Sequence, residues 1–361
     1  MTSGRTFSVG AVLTSHPHTV AHLRTLDVLP EVEAIHVHWL DGTDPTTLGA
    51  EVPLRKVVAT HQHLNSMLGV QGLDAAVVCV RTDRCPDVLR AALAAGVPTL
   101  FEKPGALDAA TLWALANDAR RLGVTTGTFL SWRGHPAVTH VRDAVRAGAL
   151  GNLFGVEGRM ITSQVRYRDP SHWLFQRSRA GSGILSWLGC HFLDALCFMT
   201  DDTVAEVSAM VGRRNPEPID VEDTACLAIK MHGGALGTFN AGYHLVGGAS
   251  GYMGPAYDTF LGLRGAHGYA RLPLSEGASV TLVSEAPGWR EGGRREWRFD
   301  LPTSPAYHGV PGEEFVRRFL HDARAGVPAV APIEAIAHVL DIVEAAWLAS
   351  ATGQTTRVRT R

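Results

Sequence analysis

The sequence predicts an α/β protein of two domains. A doubly wound parallel sheet over residues 1–130 precedes an α+β domain over residues 131–361, built on a large, mostly antiparallel open sheet. Three observations carry this reading. Strand-like and helix-like stretches alternate up to residue 130. The run Ala75 to Val80 is continuously apolar, as a central parallel strand buried on both faces must be. Beyond residue 130 strands follow strands, with helices set to one side.

Phe7 to Leu13 reads as the first strand, His18 to Leu26 as a helix, Ala34 to Leu40 as the second strand and Lys56 to Ala59 as a short third. Ala75 to Val80 comes next, then a helix from Pro86 to Ala95 that stops at Gly96, then the apolar strand Val97 to Phe101. Asp108 caps a helix with Leu112, Leu115, Ala116, Ala119 and Leu122 on one face, and Gly123 ends it. Thr125 to Leu130 closes the first domain. In the second, Pro136 opens a helix that ends near Gly148. Strands are expected at Leu153–Thr162, Thr203–Gly212, Thr224–Lys230, Leu236–Gly242, Thr259–Leu263, Ser279–Val283 and Glu296–Leu301. One helix, Gly183 to Met199, interrupts them, and the helices Glu313–Ala325 and Pro332–Ala351 follow.

Composition narrows the function classes. A chain of 361 residues with 45% hydrophobic and 19% charged residues suits two globular domains. A net charge of −2 without a Lys/Arg block gives no electrostatic footprint for nucleic acid or an anionic membrane. Small neutral or weakly charged ligands are expected instead. The five cysteines form no C-x-x-C pair, so neither a disulfide framework nor a cysteine zinc site is expected. The start of the chain has no signal-peptide pattern, and no apolar run reaches the ~20 residues of a membrane helix. A cytoplasmic protein is the expectation. Three H-x-H pairs (His16/His18, His36/His38, His61/His63) each put two imidazoles on one side of an extended segment, yet no carboxylate or cysteine completes a four-ligand set. No metal site is expected.

Two motifs carry chemistry. Glu102-Lys103-Pro104 follows Val97–Phe101, so a lysine stands where strand becomes loop, its own backbone restricted by the proline that follows. Ligands in open parallel sheets bind beyond the carboxyl ends of strands, which directs Lys103 at a cleft; a surface lysine at a strand end is the alternative. His191-Phe192-Leu193-Asp194 lies on the second domain's helix. Asp194 shares a side with His191, and either orients it, contacts a ligand or sits at the helix surface.

Together with Ala91–Gly96, His135-Pro136-Ala137-Val138, Gly181-Ser182-Gly183 and the Pro332 helix, these motifs resemble the Gfo/Idh/MocA (glucose–fructose oxidoreductase / inositol dehydrogenase) family from about Phe7 to Val358. The resemblance implies a Rossmann domain joined to an open-sheet domain, homo-oligomers formed through that sheet, and oxidation of a CH–OH of a sugar or polyol with NAD or NADP. Removing hydride from a carbinol carbon requires a base for the hydroxyl proton and a cation for the developing oxyanion. By resemblance, Lys103 holds the hydroxyl and His191 is the acid/base. Two other outcomes stay open: NAD-assisted hydrolysis or elimination at a sugar, and a ligand-binding protein without dehydrogenase activity.

The chain departs from the family twice. Trp187 stands one turn before His191, where the family commonly has aspartate; it either stacks on a sugar ring or belongs to the core. The dinucleotide fingerprint G-x-G-x-x-G is absent, its glycine positions being Leu13, Ser15 and His18. Thr14, Ser15 and His16 are the candidate phosphate contacts at the helix start, with Glu102 and Lys103 completing the expected cofactor set. Asp41, after the second strand, either accepts from a ribose 2′-hydroxyl or marks a plain turn. With no Lys or Arg between Arg24 and Arg55, NAD is expected over NADP. Candidate substrate contacts are Trp187, Asp194, Arg168, His172 and Tyr243, with Arg166, Trp173, His244, Tyr252 and Tyr257 near them in sequence.

Overall fold

The structure, a computed structural model, describes residues 6–42, 55–246, 257–289 and 293–359. Tyr252 therefore lies outside the described residues. The chain forms two compact units, Met1–Ser131 with Leu301–Ala337, and Trp132–Asp300 with His338–Arg361.

The first unit opens with β1 (Phe7–Leu13), α1 (Thr19–Val28), β2 (Val32–Trp39), β3 (Val57–His61), α2 (Leu64–Leu68), β4 (Ala75–Cys79), α3 (Cys85–Ala94), β5 (Thr99–Phe101), α4 (Ala109–Leu122) and β6 (Thr126–Thr128). The strands pair in parallel in the order β3-β2-β1-β4-β5-β6. The chain starts mid-sheet, winds outward to β3, then crosses back to β4. That reversal opens a crevice beyond the carboxyl ends of β1 and β4. Every residue of β4 is buried, as its unbroken apolar run requires. Gly10 lets α2 lie close to β1, where a Cβ would stand 2.4 Å from the Met67 sulfur. Asp108 accepts the Thr111 N–H at 2.8 Å, and Gly123 closes α4 in the left-handed conformation (φ 67°).

The second unit contains α5 (Pro136–Arg146), β7 (Leu153–Ser163), α6 (Arg177–Ala180), α7 (Cys190–Thr200), β8 (Val204–Gly212), β9 (Thr224–Met231), β10 (Leu236–Leu245), β11 (Tyr257–Gly265), β12 (Gly268–Leu272), β13 (Ser279–Ser284) and β14 (Arg294–Arg298). After α8 (Gly309–Ala325) and α9 (Ile333–Thr352), β15 (Thr356–Arg357) completes a sheet ordered β14-β13-β12-β11-β7-β10-β9-β8-β15. Only β7 and β10 run parallel among the paired strands described. Residues of β9 alternate buried and exposed, so this sheet has one covered and one open face.

Three expectations need correction. Residues Leu301–Ala337, assigned by sequence to the second domain, group with the first unit. The reason is packing at the edge strand β6: Thr128 N–H donates to Ala331 O at 2.9 Å, and a Cβ on Gly127 would press on Ala329. The helix expected over Gly183–Met199 is not uniform, since Leu185–Gly189 forms a π-helical turn before α7. Finally, the stretches Arg177–Thr200 and Ile333–Thr352 do reach membrane-span length and hydropathy. The first is 89% buried within the protein, as a core segment is.

Candidate functional site

At the carboxyl end of the first unit's sheet, β5 releases Glu102 and Lys103, both buried (3% and 1% exposed). α1 begins at the same end. Its N-cap His18 and its His22 lie four residues apart on one helix face. Both rings reach Glu102: His18 Nδ1 is 3.1 Å from Oε1, and His22 Nε2 is 2.7 Å from Oε2. Lys103 Nζ stands 3.8 Å from Oε1.

Burial pushes the Glu102 carboxyl up, but His18, His22 and the Lys103 cation together hold it well below the usual carboxylate range. Burial lowers His18 to about 4, against the opposing pull of Glu102, so its imidazole is neutral at pH 7. An ionised carboxylate only accepts hydrogen bonds, so the ring nitrogens facing it carry the hydrogens. The bare Nε2 of His18 then accepts from the Tyr307 hydroxyl, 3.4 Å away. Tyr307 arrives from the segment before α8 and stacks on Phe129 (centroids 4.9 Å, 18°). Beside it, His308 takes a left-handed backbone (φ 66°) and lies 2.9 Å from the Ser131 hydroxyl. Burial lowers its titration to about 4 as well.

The altered loop between β1 and α1 turns its bulk inward. Leu13, Thr14, His16 and His18 are buried, and only Ser15 and Pro17 are exposed. His16 Nδ1 accepts the His18 N–H at 3.1 Å and lies 3.3 Å from Cys79 Sγ; burial holds this ring well below its ordinary range. Thr14, expected to meet phosphate, instead packs inside, its carbonyl accepting from Thr19 Oγ1 at 2.8 Å. Ser15 does face outward, but its N–H and hydroxyl both donate to Asp41 Oδ2, at 3.1 and 3.3 Å. The turn therefore presents Ser15, Pro17 and Asp41 to solvent, while Leu13, Thr14, His16 and His18 lie inside.

One further expectation fails here. No cation was anticipated near Asp41, yet Arg81, in the loop after β4, is close enough for the Asp41 carboxylate to help hold its guanidinium above the ordinary range. The larger cause is the pair of hydrogen bonds that Arg81 donates to the Asp83 carboxylate. Arg81 is distant from β2 in sequence, but the sheet order sets β4 beside β1 and brings the loop after β4 to this end of the sheet.

In the second unit, α7 carries His191, which is buried (5% exposed). The segment leading to it is anchored by Glu222, a buried carboxylate that accepts from Ser182 Oγ (2.6 Å), Gly183 N (2.7 Å) and Leu185 N (3.0 Å). Gly183 is obligatory there, because a Cβ would strike the Glu222 backbone. Trp187 lies in the π turn, buried and edge-on to Trp173 (6.1 Å, 88°), whose ring in turn neighbours His172 at 5.5 Å. His172 caps a short 3-10 turn, its Nδ1 accepting from Leu174 N at 3.3 Å. Arg168 lies 5.3 Å over the Tyr243 ring and donates to Ser163 Oγ at 3.2 Å. Tyr243 is buried (2% exposed), and burial raises its phenol well above the ordinary range. Trp187, Trp173 and His172 thus form one cluster, and Arg168 and Tyr243 another.

Asp194 does not serve as expected. Its carboxylate is gripped by Arg133, with Nη2 2.7 Å from Oδ1 and Nε 2.9 Å from Oδ2, and it is 1% exposed. A bidentate guanidinium leaves this group structural rather than ligand-facing. Arg166 reaches its neighbour Tyr167 and His244 reaches Thr224, so neither joins these clusters. The His18/His22 pair was detectable in sequence from its helical spacing. Tyr307, Arg133 and Glu222 come from distant segments with no local signal.

Residues 12–129 match a family model described as an oxidoreductase family with an NAD-binding Rossmann fold, and residues 138–270 match the GFO/IDH/MocA C-terminal domain. The chain is 29% identical over 223 residues to a myo-inositol dehydrogenase, Hyg17, of Streptomyces leeuwenhoekii, covering 58% of this chain and 66% of that protein. It is 27% identical over 182 residues to a 1,5-anhydro-D-fructose reductase of Ensifer adhaerens, covering 49% and 53%. The matched stretches thus span about half to two thirds of these relatives. Among solved structures, an oxidoreductase domain protein from Kribbella flavida superposes with a TM-score of 0.85 at 21% identity, over 99% of this chain and 100% of that one. A levoglucosan dehydrogenase bound to NADH and levoglucosan gives 0.85 at 18%, with the same coverage. At these identities the likeness establishes the fold.

Proposed function

This chain belongs to the GFO/IDH/MocA family, and from that premise we propose that it is an NAD-dependent dehydrogenase acting on a secondary alcohol, or the corresponding ketone, of a sugar or polyol. The observation that carries the reading is the buried Lys103 at the carboxyl end of a Rossmann strand, beside a carboxylate kept ionised by two histidines. A lysine ammonium at this place, 3.8 Å from the Glu102 carboxylate, would donate to the oxygen of a developing alkoxide. The named relatives act on an inositol, an anhydro sugar and levoglucosan, all polyhydroxylated rings.

In the proposed reaction Lys103 holds the substrate hydroxyl and disperses negative charge on its oxygen. His191 accepts the hydroxyl proton on oxidation and returns it on reduction. Ser15 and Asp41 hold the dinucleotide's phosphate and ribose end, and Glu102 keeps Lys103 in register. NAD, when bound, supplies the hydride acceptor. Trp187, His172, Arg168 and Tyr243 are the proposed substrate wall. Asp194 is left out because Arg133 occupies it. Self-association is proposed through the second unit's open sheet face, where Met210, 81% exposed, lines a hollow of 580 Å³. The five cysteines are free thiols, which suits a reducing cytoplasm.

The test is a titration of the purified protein with NADH and with NADPH, followed by cofactor fluorescence, then turnover on a panel of cyclic polyols and anhydro sugars. Saturable NADH binding with polyol-dependent NAD reduction is expected. Tight NAD retention without net redox on any polyol would favour the hydrolase or lyase alternative, and no binding at all would refute the enzyme reading.

A further inference from the structure

β1 and β4 are adjacent, with Leu13 opposite Cys79, and the Thr14 N–H donates to Cys79 O at 3.2 Å. Two residues past that register, Ser15 leaves one strand and Arg81 the other, at the same end of the sheet. Ser15 is tied to Asp41 from the end of β2. Arg81 is tied to Asp83 through two parallel bonds, Nε to Oδ1 at 2.6 Å and Nη2 to Oδ2 at 2.9 Å. These two side chains are partly open to solvent, at 29% and 21%. The region expected to receive a ribose therefore holds one guanidinium and two carboxylates.

We propose that Arg81 and Asp83 form a latch that selects against a 2′-phosphate on the adenosine ribose of the cofactor. The assignment rests on the dinucleotide reading given above. A guanidinium fork matches a phosphate as well as a carboxylate, with two parallel N–H donors in either case. With Asp83 in the fork, Arg81 is saturated and locally neutralised. A 2′-phosphate would then face Asp41 and Asp83 without a matching donor pair. A ribose 2′-hydroxyl asks nothing of Arg81 and can donate to Asp41. The preference for NAD would thus depend on two carboxylates, with a competent phosphate ligand held closed between them. An ordinary surface ion pair makes a different prediction, since removing it leaves cofactor choice untouched.

The experiment compares dissociation constants for NADH and NADPH at one ionic strength, in the wild type, in Asp83→Asn and in Asp83→Asn combined with Arg81→Ala. Freeing the fork adds a charge-assisted bidentate contact, so Asp83→Asn should lower the NADPH-to-NADH ratio of dissociation constants by about ten-fold or more. Adding Arg81→Ala should return the ratio to the wild-type value. If Asp83→Asn leaves the ratio unchanged, or if the gain survives loss of Arg81, the latch is refuted while the cofactor reading stands. A wild type that binds neither dinucleotide overturns the cofactor reading and the latch with it. Arg81→Ala alone gives a check of sign: it takes away no phosphate contact and leaves the Asp83 carboxylate unpaired, so the ratio should stay at the wild-type value or rise. A fall would mean that the closed pair holds back no phosphate donor, and would overturn the role given to Asp83.

Discussion

Acidification should loosen the first unit from its centre, and His18 sets the size of the effect. In an unfolded chain an imidazole titrates near 6.5. In the fold burial brings His18 to about 4, with Glu102 pulling the other way. Above pH 6.5 both states are neutral and the group makes no difference. Between 6.5 and 4 the unfolded chain takes up a proton that the folded chain refuses, so stability falls as the pH falls. The loss levels off below 4. Across the whole window this one ring removes about 3 kcal/mol, and about 2.5 kcal/mol is gone by pH 4.5. His308 shifts in the same direction. Glu102 acts lower still: its folded titration lies well below the ordinary value of 4.5, so its contribution is present above that pH and is lost as pH falls further.

Amide hydrogen exchange resolves this better than a global melt, because the two units need not unfold together. Peptides from α1 and β5 should lose protection between pH 6.5 and 4.5 by about a hundred-fold, after correction for intrinsic exchange rates. In His18→Gln, which removes the titrating ring, the same peptides should start less protected and show a shallower pH dependence. A flat wild-type profile across that range, or an unchanged slope in His18→Gln, would refute the picture of a neutral imidazole held against an ionised carboxylate.

Two further tests address the proposed chemistry and its frame. Lys103→Ala and His191→Ala should each reduce turnover on a polyol used by the wild type by about 10²–10⁴ while NADH binding persists; near-full activity in either removes that residue from the reaction. Asp194→Asn should cost about 3–5 kcal/mol in urea unfolding of the second unit, because Arg133 would be left buried against a neutral amide. A wild-type midpoint would mean the pair is solvated and Asp194 is available for a ligand after all.

Local pattern reached as far as local physics does. The unbroken apolar run of β4, the Asp108 cap and the Gly123 stop are each decided by residues within a few positions, and the structure has them where the sequence puts them. The π turn before α7 was not legible, because Glu222, the carboxylate that fixes its start, lies about forty residues downstream of Ser182 and Gly183. The glycine-poor loop between β1 and α1 is likewise held by partners distant in sequence. A lost glycine matters only if the replacing side chain stands in the turn. His16 is drawn in by Cys79, 63 positions away, and His18 by Glu102 and Tyr307, 84 and 289 positions away. No window over the motif contains those partners. Whether Leu13, Ser15 and His18 crowd the turn is decided by the direction of each side chain, which bulk alone does not give. For His18 that direction is set by the buried charge on Glu102, so its place in the loop and the ionisation of that carboxylate are one question.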